Sequence, residues 1–217
     1  MHAHPFRKTS TSAFENYLLS KYEMYTVQEK VRSVPYSLTV DASDHCQLMC
    51  PTCPTGLENA ARKAKQEGYE IFRKDRRTLT PELFSSLLDD IGEQVFMVMF
   101  YNWGEPLLNK KLPALIRAAA EYEIFTEIHS NLSLPIPEER IDALLLSGLS
   151  ALKASVDGFS QQAYEKNRVG GNMELIKYNL RQLAERRAAL NAHVDISWQY
   201  LVFSFNEHEI DDAARFC

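Results

Sequence analysis

Apolar residues recur along this chain in two alternating patterns, amphipathic stretches with a period near 3.6 residues and short apolar runs, which predict helices and strands in turn. From Ser12 to Ser33, Phe14, Tyr17, Leu18, Tyr22, Tyr25 and Val31 fall at roughly helical spacing among charges. That predicts an N-terminal helix packed on the outside of a domain. Pro35 to Asp41 is rich in β-formers and predicts the first strand. Thr80 is placed to cap a helix with Pro81 at its first position and Leu83, Phe84, Leu87, Leu88 and Ile91 on its apolar face. Val95 to Tyr101 is an unbroken apolar run, as expected of a parallel strand buried on both faces. The alternation continues with a helix over Lys111–Tyr122, a strand over Phe125–His129, a helix over Glu138–Leu146 and a strand over Ala151–Val156. A short helix near Gln161–Lys166, a longer one over Met173–Leu190, a strand over Val194–Phe203 and the start of a helix in Glu207–Cys217 complete the pattern.

Helices and strands joined by short connections imply an α/β fold with a parallel sheet and right-handed crossovers, either doubly covered or closing toward a barrel. In both forms ligands gather at the carboxyl ends of the strands. The informative residues follow strands here: three cysteines after the first, Gly104-Glu105-Pro106 after the second, Ser130-Asn131 after the third and Asp157-Gly158 after the fourth. Residues 55–78 are polar and charged and read as a long excursion. Its Arg73 to Arg77 cluster is a solvated loop on the simplest reading and a steering patch for a phosphorylated substrate on the other.

Composition narrows the class. The 217 residues are 45% hydrophobic and 24% charged with net charge −5, enough for a real core in one domain or one and a half. Mild acidity argues against a protein that coats nucleic acid. The first residues lack the apolar core of a signal peptide, and no stretch approaches the roughly 20 apolar residues needed to span a bilayer, so the cytoplasm is the expected compartment.

Cys46-Gln-Leu-Met-Cys50-Pro-Thr-Cys53 places three thiols on one short loop, while Cys217 stands apart at the end. Three ligands leave one metal position open. A structural zinc wants four closed ligands, and His45, beside Cys46, would strain to serve as the fourth. Ligand softness and count favour an iron–sulfur cluster, whose uncommitted iron can bind a small molecule. Zinc and unliganded thiols are the alternatives.

At this point the sequence resembles the radical S-adenosylmethionine (radical SAM) superfamily, whose signature is Cys-x3-Cys-x2-Cys after the first strand of a partial (β/α)6 TIM-like barrel. The resemblance runs from about Pro35 to Ile210, through Gly104-Glu105-Pro106, Ser130-Asn131 and Ser155-Val-Asp157-Gly158 in order. Cys50 to Gly56 and Phe205 to Glu209 look like members that carry a C-terminal SPASM-type domain. It implies a [4Fe-4S] cluster on Cys46, Cys50 and Cys53, with S-adenosyl-L-methionine on the open iron. An electron from a donor such as flavodoxin or ferredoxin would cleave the cofactor to a 5′-deoxyadenosyl radical, which takes hydrogen from a peptide, amino-acid or sugar-type substrate. The different-class alternative is a non-catalytic zinc or Fe–S module that staples the long loop.

The resemblance also implies residue roles. Gly104 and Glu105 would receive the cofactor's amino group, Ser155 the ribose or methionyl carboxylate, and Arg168 that carboxylate. Asn131 would bond the ribose, with a turn cap as its plain alternative, and Asp157 would join the cofactor site or serve its turn. Trp103 stands where many relatives have another Gly, and Thr52 where an aromatic is common. His129 is either a substrate contact or a satisfied structural histidine, and alternation alone does not settle which way Gln199 faces. The expected organisation is a helical extension over 1–33 and a core over 34–217 with the loop 55–78, its barrel truncated after the fifth strand. A sixth strand would then lie beyond Cys217, itself on a helix face.

Overall fold

The computed structural model describes residues 9–64 and 77–216. Five parallel strands, β1 (Ser37–Thr39), β2 (Met97–Phe100), β3 (Phe125–Ser130), β4 (Ala151–Ser155) and β5 (Asp195–Gln199), form one sheet in sequence order, with β1 and β5 at its edges. The helices are α1 (Thr11–Tyr25), α2 (Pro54–Lys63), α3 (Pro81–Ile91), α4 (Leu112–Glu121), α5 (Glu138–Leu145), α6 (Gln161–Asn167), α7 (Met173–Ala189) and α8 (Ile210–Phe216). Strands in sequence order, each pair joined through helix, make the partial (β/α) barrel that the alternation implies. None of the described helices is long and apolar enough to cross a membrane.

Register sorts the strand residues onto two unlike faces. Val98, Phe100, Ile128, Leu152 and Ala154 are fully buried, and with Leu112, Leu115, Ile116, Leu144 and Ile176 they build the core between sheet and helices. On the other face the register aligns Met99 with Glu127, His129 with Lys153, Lys153 with Ser197, and Ser155 with Gln199. The expectation of a β2 buried on both sides is therefore corrected. Met97 and Met99 are only half-buried, alternating with Val98 and Phe100, because helices cover one face alone.

Two further corrections concern helices. In α1 the side buried against the body is Ala13, Asn16 and Glu23, while Phe14, Leu18, Tyr22 and Tyr25 are 40–79% exposed. Asn16 donates to the carbonyls of Val34 and Gln94, and Glu23 accepts from the amides of Arg32 and Ser33. Specific hydrogen bonds to the following segment and to Gln94 thus decided which face turned inward. The loop expected over 55–78 begins as helix α2, started by Pro54 at its first position, where the lost N–H costs nothing. Arg73 to Arg76 and Cys217 lie outside the described residues.

The strand expected to reach Phe203 ends at Gln199 because the chain is recaptured by side chains. The amide of Leu201 donates to Asp157 Oδ1, and Asn206, wholly buried, donates to the carbonyls of Asp157 and Leu201. A similar clamp holds the loop after β3, where Leu132 has the unusual positive φ of 51°. Asn179 of α7, fully buried, donates to the carbonyls of Leu132 and Leu134, both at 2.8 Å. Asn179→Ala orphans both acceptors, and each buried unsatisfied group costs roughly 1–3 kcal/mol. Urea denaturation should show a loss of that order; an unchanged midpoint would mean that the loop is held elsewhere.

Candidate functional site

Four post-strand loops meet over the ends of β1 to β4. The loop after β1 carries the cysteines and is stitched to its neighbours through its backbone. Met49 N–H donates to the Val169 carbonyl at 2.9 Å, Glu105 N–H donates to the His45 carbonyl at 2.8 Å, and Asn59 of α2 donates to the carbonyls of Cys46 and Leu48. Asp41, just past β1, accepts from the amides of Trp103 and Gly104. The chain must pass very close at this point. A Cβ on Gly104 would lie 1.6 Å from the Ser43 carbonyl oxygen, so only glycine fits.

Cys46, Cys50 and Cys53 line one cavity together with Gly104, Glu105, Asn131, Ser155, Arg168, His129 and Trp103. Eight of the nine residues singled out from sequence as ligands or cofactor contacts are thus brought together. Asp157 is the exception. It is fully buried beneath the cavity, where Oδ2 accepts from Arg168 Nε at 2.6 Å and from Asn167. It orients the guanidinium, as turn chemistry and site chemistry combined. The cavity holds about 140 Å³, below the ~300–1,000 Å³ usual for small-molecule pockets. A wider depression of about 610 Å³ lies beside Cys46, with Arg62 and Lys63 on its wall, but it contains none of the other expected contacts.

Glu105 is the electrostatic centre. Its carboxylate is 2% exposed and accepts from Ser130 Oγ at 2.7 Å, Asn131 N–H at 2.9 Å and Leu107 N–H at 3.1 Å. Burial pushes its pKa up, and those donors with the Arg168 charge pull only part of the way back. Three donors leave about one of its four lone-pair positions for a ligand.

Asn131 Oδ1 accepts from Gln47 and the Ser133 amide, while Nδ2 donates to Cys46 Sγ at 3.6 Å, leaving a second N–H for another acceptor. Ser155 is half-buried, its hydroxyl 3.5 Å from Gln199 Oε1, so Gln199 shares its face. Thr52 lies away from the cavity lining, against Asn167. His45 bonds Ser43 and Asp44 through Nδ1.

Two observations test whether these residues suit a cluster. Cys46 Sγ already accepts from the Leu48 amide and from Asn131, the kind of donor pattern that surrounds cluster sulfurs. Among the described residues no three His, Cys, Asp or Glu side chains converge as a single metal ion requires. Cys46, Cys50 and Cys53 do line one cavity, as ligands that share one cluster must. Desolvation, with Glu105 adding to it, pushes the Cys46 thiol up to about 12, and burial raises Cys50 as well. A metal must therefore displace protons on entry. The residues fit.

The radical SAM superfamily profile matches residues 40–217. The chain belongs to the radical SAM superfamily. Among curated relatives of this radical SAM chain, a PqqA peptide cyclase of Granulibacter bethesdensis is 25% identical over 172 residues, 79% of this chain and 41% of that protein. A GTP 3′,8-cyclase of Aquifex aeolicus is 27% identical over 180 residues, 82% of this chain and 52% of that one. The chain spans about half the length of these relatives, or less. Streptococcus suis SuiB, solved bound to S-adenosylmethionine, shares the fold with TM-score 0.62 at 17% identity, over 95% of this chain and 49% of SuiB.

Three neighbours of His129, namely Tyr101, Glu127 and Lys153, escaped sequence reasoning. On the inner face, Glu127 Oε1 receives hydrogen bonds from Lys153 Nζ at 2.9 Å and His129 Nε2 at 2.7 Å, and His129 stacks flat on Tyr101 with centroids 3.9 Å apart. Two charged residues inside strands otherwise expected to be buried were the available signal. Burial pushes the Glu127 carboxyl up, but His129 and Lys153 outweigh it and leave the pKa below the ordinary 4.5.

The unfolded state then binds more protons in that interval, so the contribution is present above about pH 4.5 and is lost as pH falls through the folded value. Glu127→Gln should lower stability at pH 7 and flatten the acid limb of the stability–pH curve. An unchanged acid limb would remove Glu127 from that role. Gly104→Ala should displace the cysteine loop or unfold the chain, read as a drop in melting temperature and new reactivity of Cys46 and Cys53 toward a thiol reagent. A native melting curve would disprove the close approach.

Proposed function

We propose that this chain is the catalytic core of a radical SAM enzyme acting on a peptide, amino-acid or sugar-type substrate. The observation that carries the reading is the convergence of the cysteine thiols with residues of three other post-strand loops on one cavity. The thiols of Cys46, Cys50 and Cys53 hold a [4Fe-4S] cluster, and the backbone at Gly104 with the free acceptor position of Glu105 receives the ammonium of S-adenosylmethionine. Arg168, aimed by Asp157, pairs with the methionyl carboxylate. Asn131 and Ser155 offer an N–H and a hydroxyl to the ribose or carboxylate. When bound, the cluster and cofactor supply reductive cleavage to a 5′-deoxyadenosyl radical.

The inner face would receive the substrate, and its Glu127, His129, Lys153, Ser155 and Gln199 favour a polar one. Relatives named as peptide and nucleotide cyclases support a peptide or other polar substrate. The Cys50 to Gly56 and Phe205 to Glu209 motifs support the SPASM-type subgroup. The electron donor is a flavodoxin or ferredoxin, and the compartment in this reading is the cytoplasm.

Anaerobic reconstitution with iron and sulfide should give a brown protein with about four irons per chain. With S-adenosylmethionine and dithionite it should release 5′-deoxyadenosine. Cys50→Ala should lose both the cluster and the cleavage. A colourless protein that takes up zinc and yields no 5′-deoxyadenosine would establish the structural-metal alternative instead.

A further inference from the structure

Asn131, just past β3, is 5% exposed, lines the cavity that the three cysteines share, and holds Nδ2 at 3.6 Å from Cys46 Sγ. A side-chain amide can turn either end toward a neighbour, but only its nitrogen end can donate. Backbone groups decide the matter here. The Ser133 amide, a donor by necessity, gives its hydrogen to Asn131 Oδ1 at 2.9 Å, which leaves Nδ2 on the side of the sulfur. Gln47 Nε2 donates to the same Oδ1 at 2.8 Å and to the Ser133 carbonyl at 3.1 Å. That carbonyl can only accept, so the Gln47 amide is fixed in one sense too.

The backbone of Asn131 is pinned as well, its N–H donating to Glu105 Oε2 at 2.9 Å. Turning the side-chain amide away from the sulfur therefore breaks hydrogen bonds already made. In the iron-free protein the Cys46 thiol directs its S–H at Gln47 Oε1, 3.6 Å away, and accepts from Asn131 and from the Leu48 amide at 3.5 Å. Iron displaces that proton on entry. The sulfur then has acceptor capacity alone, so the contact with Gln47 Oε1 ends while the bond from Asn131 becomes charge-assisted and stronger. The donor is in place before the cluster arrives.

We propose that Asn131 tunes the cluster: its side-chain N–H, held on the Cys46 sulfur by Ser133 and Gln47, stabilises the reduced state and raises the reduction potential. The proposal rests on the cluster reading above. A hydrogen bond to a cluster sulfur favours the reduced, more negative state, so its removal makes reduction harder. The second N–H of Asn131 is left for the cofactor, and one side chain thereby serves both.

The test compares the full chain with two uncharged variants. Asn131→Ser keeps an oxygen for the Ser133 amide but is too short to reach the sulfur, and Asn131→Leu keeps the length without a donor. After anaerobic reconstitution both should hold as much iron as the parent. Reductive titration without S-adenosylmethionine keeps the cofactor contact of Asn131 out of the comparison. Followed by the electron paramagnetic resonance signal of the reduced cluster, it should place both midpoints lower, by about tenfold in the reduction equilibrium, ~59 mV for one electron. After exchange into deuterium oxide, electron–nuclear double resonance should show a deuteron coupling in the reduced parent that both variants lack.

Equal midpoints with equal iron overturn the proposal while leaving the cluster reading intact. A lower midpoint with every deuteron coupling retained overturns it too, since the N–H would then not reach the sulfur. Loss of iron from both variants makes Asn131 a structural support of the loop and overturns the tuning role. A parent that takes up no iron overturns both readings together.

Discussion

A single buried carboxylate ties the candidate site together. Glu105 sits just after β2, yet two of its three donors, Ser130 Oγ and the Asn131 amide, come from the end of β3. Hydrogen bonds to a charged group are worth about 1.5–3 kcal/mol, and an unsatisfied buried charge costs more. The two loops are therefore locked at one separation. From there the order passes outward: Asn131 grips Gln47 and the sulfur of Cys46, and the Glu105 amide grips His45. The cysteine loop inherits its position from a charge in the neighbouring loop.

The second constraint is the one-sided covering of the sheet. Helices bury Val98, Phe100, Ile128 and Leu152 completely, which supplies the apolar burial that holds the strands parallel. The other face is released from that duty and carries Glu127, His129, Lys153, Ser155 and Gln199. A polar face on a scaffold held elsewhere is what a site for polar chemistry needs, and the Glu127, His129 and Lys153 network fits it: each charged group has a partner within its own face.

Much of this arrangement was legible in the chain. The alternation of helical and strand patterns located all five strands, because those patterns are local consequences of which residues must leave water. Thr80 caps α3 with its own side chain, as its residue type before Pro81 implied. Motif order after successive strands pointed to one end of the sheet, and the cysteines, Gly104, Glu105, Asn131, Ser155 and Arg168 were found there together.

The misreadings share one physical cause. The inward face of α1 and the early end of β5 were both settled by side chains bonding backbone far along the chain: Asn16 to the Gln94 carbonyl, and Asp157 Oδ1 to the Leu201 amide. Residue type advertises such capacity but not its partner. The sequence by itself determined the parallel α/β order, the soft three-sulfur donor set and the strand ends where chemistry gathers, since periodicity and ligand type act over a few residues. Only the tertiary structure decided that Glu105 spends most of its acceptor capacity on its own chain and that Glu127 and Lys153 share an inner face. Those facts depend on distances between residues that the chain brings together only when it folds.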